Sequence, residues 1–254
     1  MLALGMIAAL AMPGTAQATP QLGDLGVKQS MSVKASNGES LEGKDLRAIQ
    51  LATYTAASVD GNTIVGYDLT TNTALASDIT AAAKAAGATD TNLTVNGKND
   101  PMVWVVKNLT DSRSDPWSGK LRNFCNSLAK QTNFAKQDGT AVSTLSQDKA
   151  TMSTGNALVP GIYAIVDRTP ATTTLSSGTA IKTTASIMMM NGTAVNGVNQ
   201  LRTAGGTTLT LGQVIYKVSN VESPDKKVNV GSAWKDSASE AIGKDLTYRV
   251  TQKI

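Results

Sequence analysis

Along much of this chain apolar side chains return at every second residue, a period that a strand can bury on one face and a helix cannot. MSVKAS (31–36) alternates, Asn37-Gly38 marks a turn, and LRAIQLATYT (46–55) alternates again. Asp60-Gly61-Asn62 is a further turn signal, leading into TIVGYDLT. Beyond Gln137 the pattern resumes in IYAIVD (162–167), TAIKTTASIMMMNG (179–192) and TTLTLGQVIYKV (207–218). Hydrophobic residues make up 41% of the 254 positions, enough to fill a core, but aromatics are only 4%, so Ala, Val, Leu and Met must do the filling. The abundance of Thr, Ser, Asn and Gly suits strands and turns. A mostly β fold is expected.

A few helices interrupt it. Ser77 is placed to cap ASDITAAAKAAG (76–87), with Gly87 as the stop. Asp100-Pro101 opens PMVWVVKNL; five apolar residues in six would also suit a buried strand, but the spacing of Met102, Val105, Val106 and Leu109 favours a helix. Ser114 or Asp115, with Pro116 after it, opens a third helix in DPWSGKLRNFCNSLAKQ. There Trp117, Leu121, Phe124, Cys125 and Leu128 share a face, so Cys125 reads as a small buried hydrophobe rather than a nucleophile. Met188 to Met190 reads as core filling at the end of a strand, not as a ligand set.

Composition excludes several chemistries. Histidine is absent and Cys125 is the one cysteine. That removes a Ser-His-Asp triad, an intramolecular disulfide, a Cys/His zinc site and a histidine-ligated haem. The net charge is +4 and no Lys/Arg run exceeds two residues, so no nucleic-acid partner is expected. Asp24, Asp60, Asp68 and Asp167 are the acidic residues to weigh as a hydrolytic carboxylate pair; their sequence spacing brings no two together. No enzyme activity, cofactor or metal is expected.

The first residues read as an export signal. Leu2 to Met12 is an unbroken apolar run, Pro13-Gly14 ends it, and Ala16-Gln17-Ala18 offers a small-x-small site with cleavage after Ala18. The run falls short of the ~20 residues that span a bilayer, so contact with the membrane is confined to export. No Lys or Arg precedes the run, so residues 1–18 read as a signal peptide truncated at its start, followed by a mature tail at 19–26. The protein is expected to be secreted. Glu222-Ser223-Pro224 is the best internal boundary, giving a first domain at 27–222 and the opening of a second at 223–254. The two strands read in that second segment cannot bury a core alone, so its remaining strands are expected beyond residue 254.

Several segments resemble one family. LVPGIYAIVD resembles the PG-x-Y strand of sortase-assembled pilins of Gram-positive bacteria, and LEGKDLRAIQLATYTA looks like their early strand pair. PDKKVNVGSAWKDSASEAIGKDLTYRVTQKI resembles the opening of their second domain, and the DPWSGKLRNF helix fits the N-terminal domains of actinobacterial members. The likeness runs from about Val27 to Ile254. It implies an immunoglobulin-like β-sandwich with a few inserted helices, followed by the first strands of a second β-sandwich. The implied role is a structural and adhesive pilus subunit in the cell wall. Its partners would be sortase and neighbouring pilin subunits, with a host or carbohydrate ligand beyond them. The alternative is an accessory β-sandwich binding module of a secreted, wall-anchored enzyme or a carbohydrate-binding adhesin.

The resemblance also implies intramolecular Lys–Asn isopeptide bonds. A buried lysine loses its charge more readily, and its neutral amine attacks an asparagine amide while a buried acid moves the proton and ammonia leaves. In the second domain the nucleophile would be Lys226 or, less favoured, Lys227. Lys226 shares a strand face with Val228 and Val230, whereas Lys227 points with Asn229. The partner asparagine and the acid would lie beyond residue 254. In the first domain Lys34 falls on the polar face of its strand, so that domain is expected to be unbridged. Lys217, in Val214-Ile215-Tyr216-Lys217-Val218, occupies the place of the family's sortase-acceptor lysine, although the proline of that motif is absent.

Overall fold

The alternating segments form strands in the computed structural model, which describes residues 20–36, 38–95, 97–109, 119–170, 172–174, 180–183, 189–202, 206, 208–216, 220–222, 225–230, 233–237 and 246–251. Strand outweighs helix, 44% to 21%, and the chain is mostly β. The signal-peptide reading with its cleavage after Ala18, the Ser114–Pro116 helix start, Met188 and Lys217 lie outside the described residues.

Four strands open the fold: β1 (Gln21–Leu22), β2 (Ser32–Ala35), β3 (Leu46–Asp60) and β4 (Thr63–Thr71). β1 belongs to the segment read as a tail, and it pairs with the far end of β3. The turn signal at Asp60-Gly61-Asn62 closes the β3–β4 hairpin, where Asp60 faces Thr63 and Gly61 adopts φ +55°. β2 and β3, adjacent in sequence, pair not with each other but in different sheets.

The helical layer follows, with α1 (Ala76–Ala85), the small hairpin β5 (Thr94–Val95) and β6 (Lys98–Asn99), then α2 (Pro101–Asn108), α3 (Lys120–Leu128) and α4 (Thr132–Ala135). Gly87 ends the α1 segment as expected, at φ +104° with its N–H on the Lys84 carbonyl. Ser77 does not cap it. A short 3-10 turn at Thr73–Leu75, capped by Asn72, runs directly into α1 and places Ser77 inside the first helical turn. Asp100 precedes α2 without capping it; its carboxylate accepts from the Thr71 N–H and hydroxyl, and Thr71 Oγ1 accepts the Met102 N–H. α3 buries Phe124, Cys125 and Leu128 on one face, as their spacing predicts.

The remaining strands of the larger unit are β7 (Thr140–Val142), β8 (Thr144–Leu145), β9 (Thr151–Ser153), β10 (Gly161–Asp167), β11 (Thr172–Thr174), β12 (Ala180–Thr183), β13 (Met189–Gly192), β14 (Gln200–Arg202), β15 (Thr208–Thr210), β16 (Gln213–Tyr216) and β17 (Asn220–Glu222). The largest sheet runs β13-β10-β3-β4-β14-β15, with β1 and β7 also on β3. A four-stranded sheet runs β16-β2-β9-β8, and a third runs β11-β12-β17. Parity along β3 explains the layering. Leu46 and Ala48 point to one side, where they meet Met31, Val33, Met152, Val214 and Tyr216 of the four-stranded sheet. Ile49 and Leu51 point to the other, beneath Ile79, Met102, Val105 and Phe124 of the helices. The large sheet is thus covered by a second sheet on one face and by helices on the other.

A separate three-stranded sheet holds β18 (Asp225–Val230), β19 (Ala233–Lys235) and β20 (Tyr248–Thr251), with β18 central. Apolar residues stay exposed on it: Trp234, Leu246, Tyr248 and Val250.

Candidate functional site

The loop leading into β3 carries an amine into the core between the two sheets. Lys44, Leu46 and Ala48 alternate onto one side of the chain. Leu46 and Ala48 are core residues, and Lys44 is only 6% exposed. β10 delivers a carboxylate by the same rule: Tyr163 and Ile165 face this core, and Asp167, next in parity, lies opposite Leu46 and is 3% exposed. The third member comes from β16, whose Tyr216 hydroxyl donates to Asp167 Oδ2.

The loops around Asp167 hold it in place. Its Oδ1 accepts from the Thr169 N–H at 2.8 Å and from the Thr169 hydroxyl. Thr169 Oγ1 in turn accepts the Asp45 N–H at 2.9 Å, and the Arg168 N–H donates to the Asp45 carbonyl at 2.8 Å. The residue after Lys44 is therefore clipped to the two residues after Asp167. A second acid is near: Glu39 Oε2 is buried and has no hydrogen-bond partner among the described residues.

Burial pushes the Lys44 pKa down, and the charges of Asp167 and Glu39, which pull it the other way, do not make up the loss. Burial first, then the Asp167 hydrogen bond and charge, holds the Tyr216 pKa well above the usual phenol range, so its hydroxyl stays a donor. The arrangement places an amine that gives up its proton more easily than an ordinary lysine within the field of two acidic side chains, Asp167 and Glu39. An amine that loses its proton readily is one requirement of acyl transfer to nitrogen.

Lys226 stands on the β18 face that carries Val228 and Val230, opposite Val250 of β20. Its Nζ lies 4.3 Å from the centroid of the Tyr248 ring, and the residue is exposed beside a Val228 that is 3% exposed. Lys227 turns to the opposite face and pairs with Asp236 at 2.5 Å. Lys34 is exposed on β2 next to fully buried Val33. Asp24 and Asp60 both line an open cleft of about 420 Å³ between β1 and the Val195–Val198 turn, where Asp24 Oδ1 accepts the Gly26 N–H. Among the described residues no group of three or more Asp, Glu, Cys or His could hold a metal, and no helix is long and apolar enough to cross a membrane.

Sequence reasoning weighed Lys34 for the first domain and passed over Lys44. The signal was present in LEGKDLRAIQ, where Lys44 keeps step with Leu46 and Ala48. Asp167 was weighed only as a member of a hydrolytic carboxylate pair, although it continues the parity of Tyr163 and Ile165. No family model and no curated protein matches this chain.

Proposed function

We propose that this chain belongs to a structural and adhesive subunit of a Gram-positive surface fibre. In this reading it is exported, joined to its neighbours by sortase, and built of immunoglobulin-like β-sandwich modules locked by side-chain amide bonds. The observation that carries the reading is the burial of both Lys44 and Asp167 in the core between two sheets, with the Asp167 charge acting on the amine, in a chain with one cysteine. A fibre module exposed outside the cell and lacking a disulfide gains covalent reinforcement from such a pair.

The chemistry takes its nucleophile and its acids from this cluster and requires a side-chain carboxamide within reach of the Lys44 amine. The neutral Lys44 amine attacks a side-chain carboxamide carbon, forming an Nζ–C bond. The carbon–nitrogen bond of the carboxamide then breaks, and Asp167 or Glu39 passes the amine proton to the departing ammonia. In the second module Lys226 keeps its role as nucleophile, supported by the apolar strand face it shares with Val228 and Val250.

The test is an immunoblot of wall extracts from the source bacterium, boiled in detergent and probed with antibody raised against this chain. A ladder of covalent multimers anchored to the wall is expected. A single monomer band found in the medium refutes the fibre reading.

A further inference from the structure

We infer that the β2–β16 pair is a force-bearing clamp that resists tension between the two ends of the chain. β2 lies near the start of the larger unit and β16 near its end, and the two pair in parallel, with Ser32 opposite Gln213 and Ala35 opposite Tyr216. The ladder is extended at both ends, where the Ser32 N–H donates to the Gly212 carbonyl at 2.8 Å and the Ser36 N–H to the Tyr216 carbonyl at 2.9 Å.

Parallel pairing decides how a pull is felt. Tension from the N-terminal side reaches β2 at Ser32 and draws it backward along its axis. Tension from the C-terminal side leaves β16 at Tyr216 and draws it forward. The strands are loaded at opposite ends, so they must slide past one another and every ladder hydrogen bond is strained at once. An antiparallel pair of terminal strands would open one bond at a time.

Sliding is further blocked by the core. Val214 and Tyr216 point inward and Ile215 points out at 57% exposure, so a one-residue slip would turn Ile215 into the core and Tyr216 into solvent. It would also break the Tyr216–Asp167 hydrogen bond. β2 cannot simply follow β16, because its other edge is held by β9 through Ser32, Val33 and Lys34. Among the described residues upstream of β2 the backbone ties are short: two residues of β1 on β3, the Gly23 N–H on the Ala57 carbonyl and the Gln29–Leu158 bridge. The clamp is the first substantial barrier on the N-terminal side. Its geometry stands without an amide bond; its use in a fibre rests on the function proposed above.

Single-molecule pulling tests it, with the full chain carrying Lys44→Met so that no crosslink at that lysine contributes. One set of molecules is pulled by the two termini. A second is pulled by the N-terminus and a handle on Gln213→Cys, an exposed position at the start of β16, which loads both strands at the same end. Forced unfolding reports the barrier along the pulled direction. End-to-end pulling is expected to need at least about twice the force of the second geometry, and Tyr216→Phe to lower the first force while leaving the second unchanged. Equal forces in the two geometries, or a Tyr216→Phe effect equal in both, would overturn the clamp. Pulling the unsubstituted chain keeps the amide reading separate: a shortened extension there, restored by Lys44→Met, reports the crosslink whatever the force ratio.

Discussion

Replacing Tyr216 by Phe isolates one contact, the hydroxyl that joins β16 to the carboxylate of β10. Tyr216 is 1% exposed and Asp167 is 3% exposed, so water cannot replace the lost donor without entering the core. The ring stays, so no cavity term arises, and the loss is that of a buried hydrogen bond to a charged group, ~1.5–3 kcal/mol. Urea unfolding followed by circular dichroism is the assay. With a slope of about 2 kcal/mol per molar, the midpoint should fall by roughly 1 M. Any covalent bond at Lys44 is present in both folded and unfolded molecules and cancels in the comparison. In a Lys44→Met background, where no amide can form in any member of the set, Asp167→Asn should cost a similar amount, and the double variant little more than the larger single one, a coupling of about 1.5–3 kcal/mol. A midpoint shift under about 0.2 M, or strictly additive losses, would refute the claim that this bond ties the sheets together.

Four further outcomes are expected. A Cβ at Gly161 would sit 2.2 Å from the Ala52 carbonyl oxygen, so Gly161→Ala should cost about 2–3 kcal/mol by forcing β10 off β3. Gly66→Ala, where a Cβ meets nothing within 4 Å, should stay within about 0.5 kcal/mol; thermal melts of the two variants check both. Phe124→Ala, at a fully buried position under the helices, should cost about 3–5 kcal/mol in the same melts. The fourth perturbation is pH, applied to the chain carrying both Asp167→Asn and Glu39→Gln, in which neither acid can move the proton and Lys44 stays an amine. Its folded pKa lies below the unfolded 10.5, so the unfolded state binds more protons between the two values and stability rises as pH climbs toward 10.5. Unfolding curves with Lys44→Met added should lack that rise; an equal rise in both chains would mean that Lys44 does not titrate as its burial requires.

Period-two alternation was a dependable guide to strands because it reports a face, and the face is what the core selects. β3, β10 and α3 follow directly from LRAIQLATYT, GIYAIVD and the Phe124–Leu128 spacing. Pairing was harder to read. The turn at Asn37-Gly38 suggests that β2 and β3 are neighbours, yet β2 pairs with β16, about 180 residues away in the chain, and nothing local encodes that choice. The caps misled for a related reason. Ser77 and Asp100 are good capping residues, but Asn72 and Thr71 were already placed by β4 to do that work. The Lys44–Asp167–Tyr216 cluster was half legible: parity sends each of the three side chains inward, but only the fold brings their strands to one edge of the core.

Mass spectrometry of the intact, denatured chain bears most directly on the amide lock. One carboxamide condensed with Lys44 lowers the mass by about 17 Da, one ammonia, and Lys44→Ala should restore the calculated value for its sequence. A deficit of about 18 Da would instead name a carboxyl partner, with water as the leaving group. A purified protein that weighs its full calculated mass, or one whose deficit is unchanged by Lys44→Ala, would show that Lys44 forms no amide and that the proposed covalent reinforcement at that residue is absent.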